Sequence, residues 1–509
     1  MEDQLGGGAP GSGAPRDPGT GGTPKPDPVA VLDTTAAGPL IIRGGALRVV
    51  SYAAGVLLTV ASAALMIRHL GATDFGRFAT VMALVGIVAG LAEAGLTTIG
   101  VREYSVRAGE ARRSFMSNLV GLRLVVASAG ALLAVGFALL AGYDETMVLG
   151  TLAAAAGLVV LIFQTTLTIP LQAALKLGTV SALDLARVVA TVVLIVVLVL
   201  ADAGLVAFLA VSIPAAGVTL AFTVPVARGT MPFVPRLDRA EWWPLLRDAL
   251  PVTAASVIGV VYYRVSIIVT SLLASETETG YFGASFRIVE VLIAVPGLLV
   301  TSAFPLLARA ARDDRARLGY ALQRMFEVAL ILAVGMALAV VAGAEIAIDV
   351  VAGDEFGPSV EVLQIQGIGL AATFFVATWG FALLSLRRHA AILIANAVAL
   401  ALVVGLTLAL VPELGADGAA AATAVAEVAL AAIYGFVLMR SHPELRVSLG
   451  IVPRVLLAGA LAGLVVVAGL PALVSLAAAM AVYVVALILL RAVPAELSDA
   501  MARFRNPTA

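Results

Sequence analysis

Apolar runs of about twenty residues recur from Gly44 to Arg491, separated by short polar connections. A helix of about twenty residues spans the hydrocarbon core of a bilayer. Helices also bond all of their backbone polar groups internally, as hydrocarbon requires. The pattern predicts an all-α integral membrane protein of about fourteen transmembrane helices. The predicted spans are residues 45–67, 77–100, 117–141, 147–172, 180–201, 204–226, 249–273, 280–306, 321–343, 359–385, 389–411, 416–439, 452–470 and 472–491.

Composition excludes several other classes of protein. The chain is 61% hydrophobic and 13% charged, whereas soluble domains are about 45–50% apolar and about 25% charged. A net charge of −1 gives no general attraction to nucleic acid. The absence of cysteine excludes disulfides and thiolate chemistry. Neither a phosphate-binding Gly-x-x-x-x-Gly-Lys motif nor His-Glu-x-x-His occurs, so we expect no cofactor, no metal site and no enzyme activity.

Charged residues alternate between successive connections, which predicts the orientation of the chain. Basic connections contain residues 102–113, 176, 228–247, 309–317, 387–388 and 440–454. Acidic connections contain residues 144–145, 202, 276–278, 345–355 and 413–417. Arginine and lysine accumulate on the cytoplasmic side of membrane proteins. The alternation therefore predicts a multi-pass protein of the inner (plasma) membrane with both termini in the cytoplasm.

The same connections divide the chain into segments. Residues 1–40, rich in Gly and Pro, predict a disordered cytoplasmic tail. Two pseudo-symmetric six-helix bundles are predicted at 44–226 and 249–439, because Leu70–Ala79 and Leu273–Ala284 each follow an apolar span and contain Gly-x-Phe. A cytoplasmic interfacial linker, 227–248, carries Trp242 and Trp243. Residues 452–491 hold two additional transmembrane helices, or one span with a re-entrant segment, and 492–509 form a cytoplasmic tail.

Several motifs, in order, resemble those of the polysaccharide-biosynthesis membrane proteins. These are the O-antigen and capsule flippases of the multidrug/oligosaccharidyl-lipid/polysaccharide exporter superfamily, and the resemblance covers roughly residues 44–491. The motifs are Met66–Gly71, Phe75–Phe78, Gly95–Leu96, Val101–Tyr104, Gly280–Arg287, Phe304–Pro305 and Leu410–Thr423. The resemblance implies alternating access, a central cavity between two bundles and a polyprenyl-diphosphate oligosaccharide as cargo. The two additional C-terminal helices depart from the commoner twelve-helix pattern and are similar to those of lipid II flippases.

Three charged residues are predicted at similar depth in the membrane. Arg264 lies nine residues from the acidic end of its span, and Arg287 and Glu290 lie seven and ten residues into the next. A charge at mid-bilayer costs about 2.5–3.5 kcal/mol, so such residues pair or face water. One interpretation is a basic patch that binds the cargo diphosphate through the arginine forks, with Glu290 modulating it or taking a proton. The alternative is an Arg–Glu pair that fixes helix packing.

Further candidates lie outside this patch. Arg68 flanks the first hairpin and serves either as a cargo contact near the outer gate or as a headgroup anchor. Arg123 is a candidate cargo contact and Glu93 a coupling candidate, although comparable depth also predicts a structural ion pair between them. Glu427, alone in a small apolar run, is a coupling candidate that either stays protonated or pairs with an arginine the sequence does not identify.

These observations predict a flippase that carries a lipid-linked oligosaccharide to the outer leaflet for cell-surface polysaccharide synthesis. An alternative is an H⁺- or Na⁺-coupled drug or metabolite exporter of the same superfamily, with a more acidic cavity. A second alternative is a membrane-embedded glycosyltransferase or ligase, for which Asp349, Asp354 and Glu355 form the densest carboxylate cluster. The expected partners are the lipid-linked oligosaccharide, membrane lipids, and the glycosyltransferases and polymerase of the pathway, with no nucleic acid.

Overall fold

A computed structural model of the chain describes residues 37–93, 95–229 and 234–493. The predicted N-terminal tail falls outside this part of the chain up to residue 36, and the predicted C-terminal tail falls outside it from residue 494. The first helix begins at Ala37, inside the predicted tail. The protein is an all-α integral membrane protein.

The described residues form α-helices joined by short connections. In chain order they are α1 (Ala37–Glu93), α2 (Leu96–Val106), α3 (Gly109–Leu140), α4 (Glu145–Leu167), α5 (Ile169–Ala173), α6 (Leu177–Leu200), α7 (Leu205–Ala210), α8 (Ser212–Ala227), α9 (Arg239–Leu273), α10 (Glu276–Leu292), α11 (Ala294–Asp313), α12 (Arg315–Val351), α13 (Ser359–Ser385), α14 (His389–Ser441), α15 (Val452–Val467) and α16 (Ala472–Leu489).

Two groups of helices pack side by side. The first half comprises α1 to α8 and the second half α9 to α14. The helices α15 and α16 pack on each other and on α12, around a buried cluster that includes Leu330, Val455 and Tyr483. A further apolar cluster crosses between the halves, where the ring of Phe75 meets that of Phe356 at a centroid distance of 6.2 Å. This contact fixes the halves against each other at one end.

Two long helices are each interrupted by a single glycine. Gly71 in α1 has φ of 68° and Gly415 in α14 has φ of 54°, a left-handed region that glycine enters without steric cost. The helical arm that follows each break starts with free backbone N–H groups. A carboxylate accepts from the first of them: Glu355 bonds Ala72 N at 2.9 Å, and Glu278 bonds Ala416 N at 2.8 Å.

The breaks also affect how membrane spans are counted. Ten helices of the described part are long and apolar enough to cross a membrane, and Val257–Leu273 and Val452–Val467 are shorter apolar helices. Two of the ten span both arms of an interrupted helix, at Gly71 and at Gly415. Each predicted span has a helical counterpart, but the number fourteen itself stays a prediction.

Helix boundaries differ from the predicted spans in three places. The second predicted span breaks between Glu93 and Gly95, where Gly95 has φ of 75°, and continues as α2. The predicted span 280–306 is divided at Ile293 into α10 and α11. The helix α9 begins at Arg239, within the predicted linker, since a helix need not stop at the membrane surface. Trp243 of that extension is exposed, and Trp242 packs against a buried cluster of the first half.

A pair of glycines in α1 allows α9 to approach closely. A Cβ on Gly90 would lie 2.7 Å from a methyl group of Val260, and a Cβ on Gly86 would lie 3.4 Å from Nε of Arg264. The Gly86-x-x-x-Gly90 spacing therefore serves a contact inside one chain. The same close approach places the Arg264 side chain against the backbone of α1 at Gly86.

Candidate functional site

A cavity separates the two halves at mid-depth. Its main chamber, of about 430 Å³, is lined in the first half by α1, α4, α6, α7 and α8 and in the second half by α9 and α10. A second chamber, of about 520 Å³, shares the wall formed by Gly86, Arg264 and Glu290 and reaches Glu93. The volume of each chamber lies within the range of about 300–1,000 Å³ that is usual for small-molecule sites.

The cavity brings together the three charged residues that were predicted at similar depth in the membrane. One carboxylate bridges two guanidinium groups: Glu290 Oε1 lies 2.7 Å from Nη2 of Arg264, and Oε2 lies 2.7 Å from Nη1 of Arg287. The three side chains are 28–40% exposed, so they face open space rather than a dry contact. Since each guanidinium has five N–H donors, most of these donors remain available to a ligand.

The main chamber contains a third arginine that sequence reasoning had not placed there. Arg187 of α6 lines it from the first half. With Arg264, Arg287 and Glu290 it gives the chamber wall a net charge of +2. The sequence signal was the same as for Arg264, an arginine inside an apolar run. Arg187 also lies one turn after Asp184 near the basic end of the span predicted at 180–201, and this pattern is typical of a local pair at the membrane surface.

The chamber is closed at one end of the bundle, which we call the acidic end. This end is defined by Gly71, Asp144, Asp202, Glu276, Glu355 and Gly415. There the Arg77 guanidinium binds Asp74 at 3.3 Å and Asp144 at 3.5 Å in the first half, and Glu276 at 2.8 Å in the second. Hydrogen bonds between the hydroxyls of Thr73 and Thr277 and between those of Tyr143 and Ser271 also join the halves.

Two glycines make this closure tight. A Cβ on Gly76 would overlap the carbonyl oxygen of Glu276, and a Cβ on Gly280 would overlap that of Ala72. These are the glycines of the two Gly-x-Phe motifs, so the sequence repeat marks reciprocal contacts between the halves. The cavity therefore ends below this contact and extends in the other direction, towards Glu93.

Arg68 belongs to this closure and does not line either chamber. Its Nη2 donates to the backbone carbonyls of Asp349 and Val350 in the second half. Because Arg68 lines neither chamber, the cargo contact near the outer gate stays a prediction. Sequence reasoning could not foresee these partners, since they lie about 280 residues away in the chain.

Arg123 is also outside the cavity wall. Its side chain is fully buried, and it binds Glu93 at 2.6 Å and Thr97 at 3.0 Å. Glu93 is half exposed and lines the second chamber. The structure thus supports the predicted ion pair and not the alternative of Arg123 as a cargo contact, because Arg123 has no access to the chamber.

Glu427 lies in a separate small hollow of the second half. The hollow, of about 40 Å³, is also lined by Tyr262, Gln366, Thr373 and Thr423, with no arginine among its lining residues. Glu427 Oε2, the Tyr262 hydroxyl and both amide atoms of Gln366 are buried without a hydrogen-bond partner. The expected arginine partner of Glu427 is absent from the described part of the chain, and neutral polar groups take its place.

Comparisons with known proteins agree with this architecture. Residues 65–361 match the model of a family described as "Polysaccharide biosynthesis protein". No curated protein matches the chain in sequence. The match covers the helices that supply Arg187, Arg264, Arg287 and Glu290.

Solved structures share the fold at low sequence identity. A structure described as "Lipid II flippase MurJ, inward closed conformation" has a TM-score of 0.73 at 13% identity, covering 87% of this chain and 99% of that one. An inward-facing multidrug resistance MATE family transporter of the MOP superfamily has a TM-score of 0.62 at 14% identity, covering 77% and 95%. A structure described as an outward-facing conformation of a multidrug resistance MATE family transporter of the MOP superfamily has a TM-score of 0.52 at 15% identity, covering 82% and 98%.

Proposed function

Because the chain belongs to the polysaccharide biosynthesis protein family, we propose that it carries a polyprenyl-diphosphate-linked oligosaccharide from the cytoplasmic to the outer leaflet. We propose that it does so by alternating access, as a carrier and not as an enzyme. The observation that carries the proposal is the guanidinium pair of Arg264 and Arg287 in a chamber between the two halves. A protein keeps such charges at mid-depth where they line a wet cavity or meet an anion.

A diphosphate fits the chemistry of this wall. Arginine donates to phosphate oxygens in a planar fork and remains charged at all relevant pH values. The wall's net charge of +2 balances the two negative charges of a diphosphate diester. Since Glu290 already bridges both arginines, it holds their forks in place while their other donors face the chamber.

The closure at the acidic end supports the alternating-access part of the proposal. The contacts of Arg77, Gly76 and Gly280 seal one side, whereas the cavity extends towards Glu93 on the other. If the basic end is cytoplasmic, as the charge pattern predicts, this conformation would accept cargo from the cytoplasmic leaflet of the plasma membrane. The glycosyltransferases and polymerase of the pathway would then act before and after transport.

The alternative of a drug exporter fits this wall less well. That function predicts a more acidic cavity, but across both chambers three arginines (Arg187, Arg264 and Arg287) face two glutamates (Glu290 and Glu93). The alternative of a glycosyltransferase needs free carboxylates, and Glu355 instead accepts a hydrogen bond from Ala72 N. Within the described residues, no group of three acidic or histidine side chains could hold a metal ion.

Reconstitution would test the proposed function directly. The full chain is placed in lipid vesicles with a fluorescent polyprenyl-diphosphate oligosaccharide, and its appearance in the outer leaflet is followed by a membrane-impermeant quencher. We expect flipping well above that of protein-free vesicles, and no comparable flipping of a neutral lipid-linked sugar without the diphosphate. Equal rates for the two lipids would contradict the proposal.

Energy coupling is proposed to reside at Glu427. Glu93 and Glu290, the other two candidates, are bound to arginines, whereas Glu427 is buried among neutral groups. A buried carboxylate whose neighbours are all neutral is costly unless it binds a proton or a cation. Its occupancy would therefore follow an ion gradient.

We expect Glu427→Gln to abolish any stimulation of flipping by an imposed proton or sodium gradient, because glutamine binds neither ion in this way. The measurement is the ratio of flipping rates with and without each gradient. Glu413→Gln, an exposed carboxylate on the same helix, is the matched control and should keep the wild-type ratio. A wild-type ratio in Glu427→Gln would place coupling elsewhere.

A further inference from the structure

Arg187 is the arginine of the first half that faces the main chamber. It lies ten residues along α6 from its first residue, Leu177, which is about 15 Å at 1.5 Å per residue. Counted from the acidic end, Arg187 lies 13 residues from Leu200 and Arg264 nine residues from Leu273, a difference in depth of about 6 Å. Both line the main chamber, Arg187 from the first half and Arg264 from the second.

The bonding of Arg187 differs from that of the other arginines inside the bundle. Arg77, Arg123, Arg264, Arg287 and Arg324 each bind at least one carboxylate. The Arg187 guanidinium makes no ion pair and no hydrogen bond to the residues that the structure describes. Only its backbone carbonyl is engaged, by the Thr191 hydroxyl.

An unpaired guanidinium at this depth needs water or an anion as a partner. We propose that Arg187 is the first half's contact for the cargo diphosphate, which bridges it to Arg264 and Arg287 of the second half. The inference rests on the proposed function and adds a residue and a role. Glu290 compensates the arginines of the second half, whereas the guanidinium of Arg187 has no carboxylate bound to it among the described residues and is available to an anionic ligand.

A bridging role has a consequence for the conformational cycle. A ligand shifts a conformational equilibrium only by the difference between its affinities for the two states. An anion bound to Arg264 and Arg287 alone touches one half, so it does not discriminate strongly between arrangements of the halves. An anion that also binds Arg187 favours the arrangements in which the two halves approach each other across the chamber.

Binding of inorganic pyrophosphate to the purified full chain in lipid nanodiscs tests the contact. We expect Arg187→Ala to weaken binding by about 10- to 100-fold, the range for loss of a charge-assisted hydrogen bond. Arg187→Lys keeps the charge but not the planar fork of donors, so its pyrophosphate affinity should lie between those of the wild type and Arg187→Ala. Arg440→Ala, which removes an arginine stacked on Phe436 outside the cavity, should bind as the wild type does.

A distance measurement tests the bridge. Because the chain contains no cysteine, spin labels can be placed specifically at Glu110→Cys in the first half and His389→Cys in the second, both exposed. We expect saturating pyrophosphate to shorten the distance between the labels in the wild-type background. In Arg187→Ala, saturation should leave the distance unchanged, which a purely structural role of Arg187 does not predict.

The outcomes separate the inference from the proposed function. Wild-type pyrophosphate affinity in Arg187→Ala would overturn the inference even if the vesicles flip the oligosaccharide lipid. Failure of the wild type to bind pyrophosphate would overturn it as well. The third outcome is a protein that binds pyrophosphate and closes in an Arg187-dependent way but flips no diphosphate lipid. That result would support the anion bridge and contradict the proposed flippase function.

Discussion

Replacing Arg287 by alanine should lower flipping of the diphosphate-linked oligosaccharide by roughly 30- to 150-fold. This is the effect of losing about 2–3 kcal/mol of charge-assisted hydrogen bonding to phosphate. The substitution also leaves Glu290 with Arg264 as its single partner, which reduces the positive charge of the wall. Arg264→Ala should have an effect of similar size, since its guanidinium binds the other carboxylate oxygen. The measurement is the initial rate of flipping in vesicles at equal amounts of folded protein.

The chain offers a closely matched control. Arg324 binds Glu327 three residues later at 2.6 Å and is 39% exposed, whereas Arg287 binds Glu290 three residues later at 2.7 Å and is 40% exposed. Arg324 does not line either chamber. Arg324→Ala should therefore change the flipping rate less than twofold. Equal losses in Arg287→Ala and Arg324→Ala would mean that the chamber arginines act through helix packing and not through cargo.

Replacing Glu93 by alanine should destabilise the protein by about 3 kcal/mol. Arg123 is fully buried and Glu93 is its carboxylate partner, so the substitution leaves an uncompensated charge inside the bundle. Breaking a buried pair from one side costs about 3–5 kcal/mol. We place the effect at the lower end because half of the Glu93 side chain is exposed, which lets water reach the site. Chemical or thermal unfolding in detergent micelles would measure it.

The double variant Glu93→Ala with Arg123→Met distinguishes this cause from a loss of packing. Methionine fills much of the arginine's space without a charge, so stability should return to within about 1 kcal/mol of the wild type. Two equally destabilised variants would indicate that Glu93 contributes by its contacts with Thr97 and the chamber wall. That result would also contradict a stabilising role for the ion pair between Glu93 and Arg123.

The helical membrane architecture follows from the sequence because the length of an apolar run is a local property. The prediction of a connection at 68–76 was less successful. Arg68, Asp74 and Arg77 are polar, which is typical of a loop, but the chain leaves the helix only at Gly71. Arg68 donates to the backbone carbonyls of Asp349 and Val350, far away in the sequence. Arg77 pairs with the distant carboxylates of Asp144 and Glu276 as well as with nearby Asp74. A polar stretch can therefore remain helical when distant segments supply its partners.

The part of the candidate site that depends only on the depth of residues in the membrane could be predicted from the sequence. Because the helical rise per residue is constant, counting from the ends of two spans placed Arg264, Arg287 and Glu290 together. Arg187 could not be singled out in this way, because Asp184 one turn earlier makes it typical of a local pair near the membrane surface. The neutral hollow around Glu427 could not be predicted at all. Tyr262 and Gln366 meet it from other helices, and a single sequence contains no information on which faces those helices share.

Separating the two halves would affect the two carboxylate caps of the interrupted helices differently. Glu278 and Ala416 both belong to the second half, so their bond survives any rigid movement of that half. Glu355 instead caps Ala72 across the boundary, and a helix N-terminus is stabilised by a nearby carboxylate by roughly 0.3–1 kcal/mol. Together with the ion pair of Arg77 to Glu276, this bond exists only while the acidic end is shut. Opening the acidic end therefore breaks both of these contacts, whereas it leaves the Glu278 cap of the second half in place.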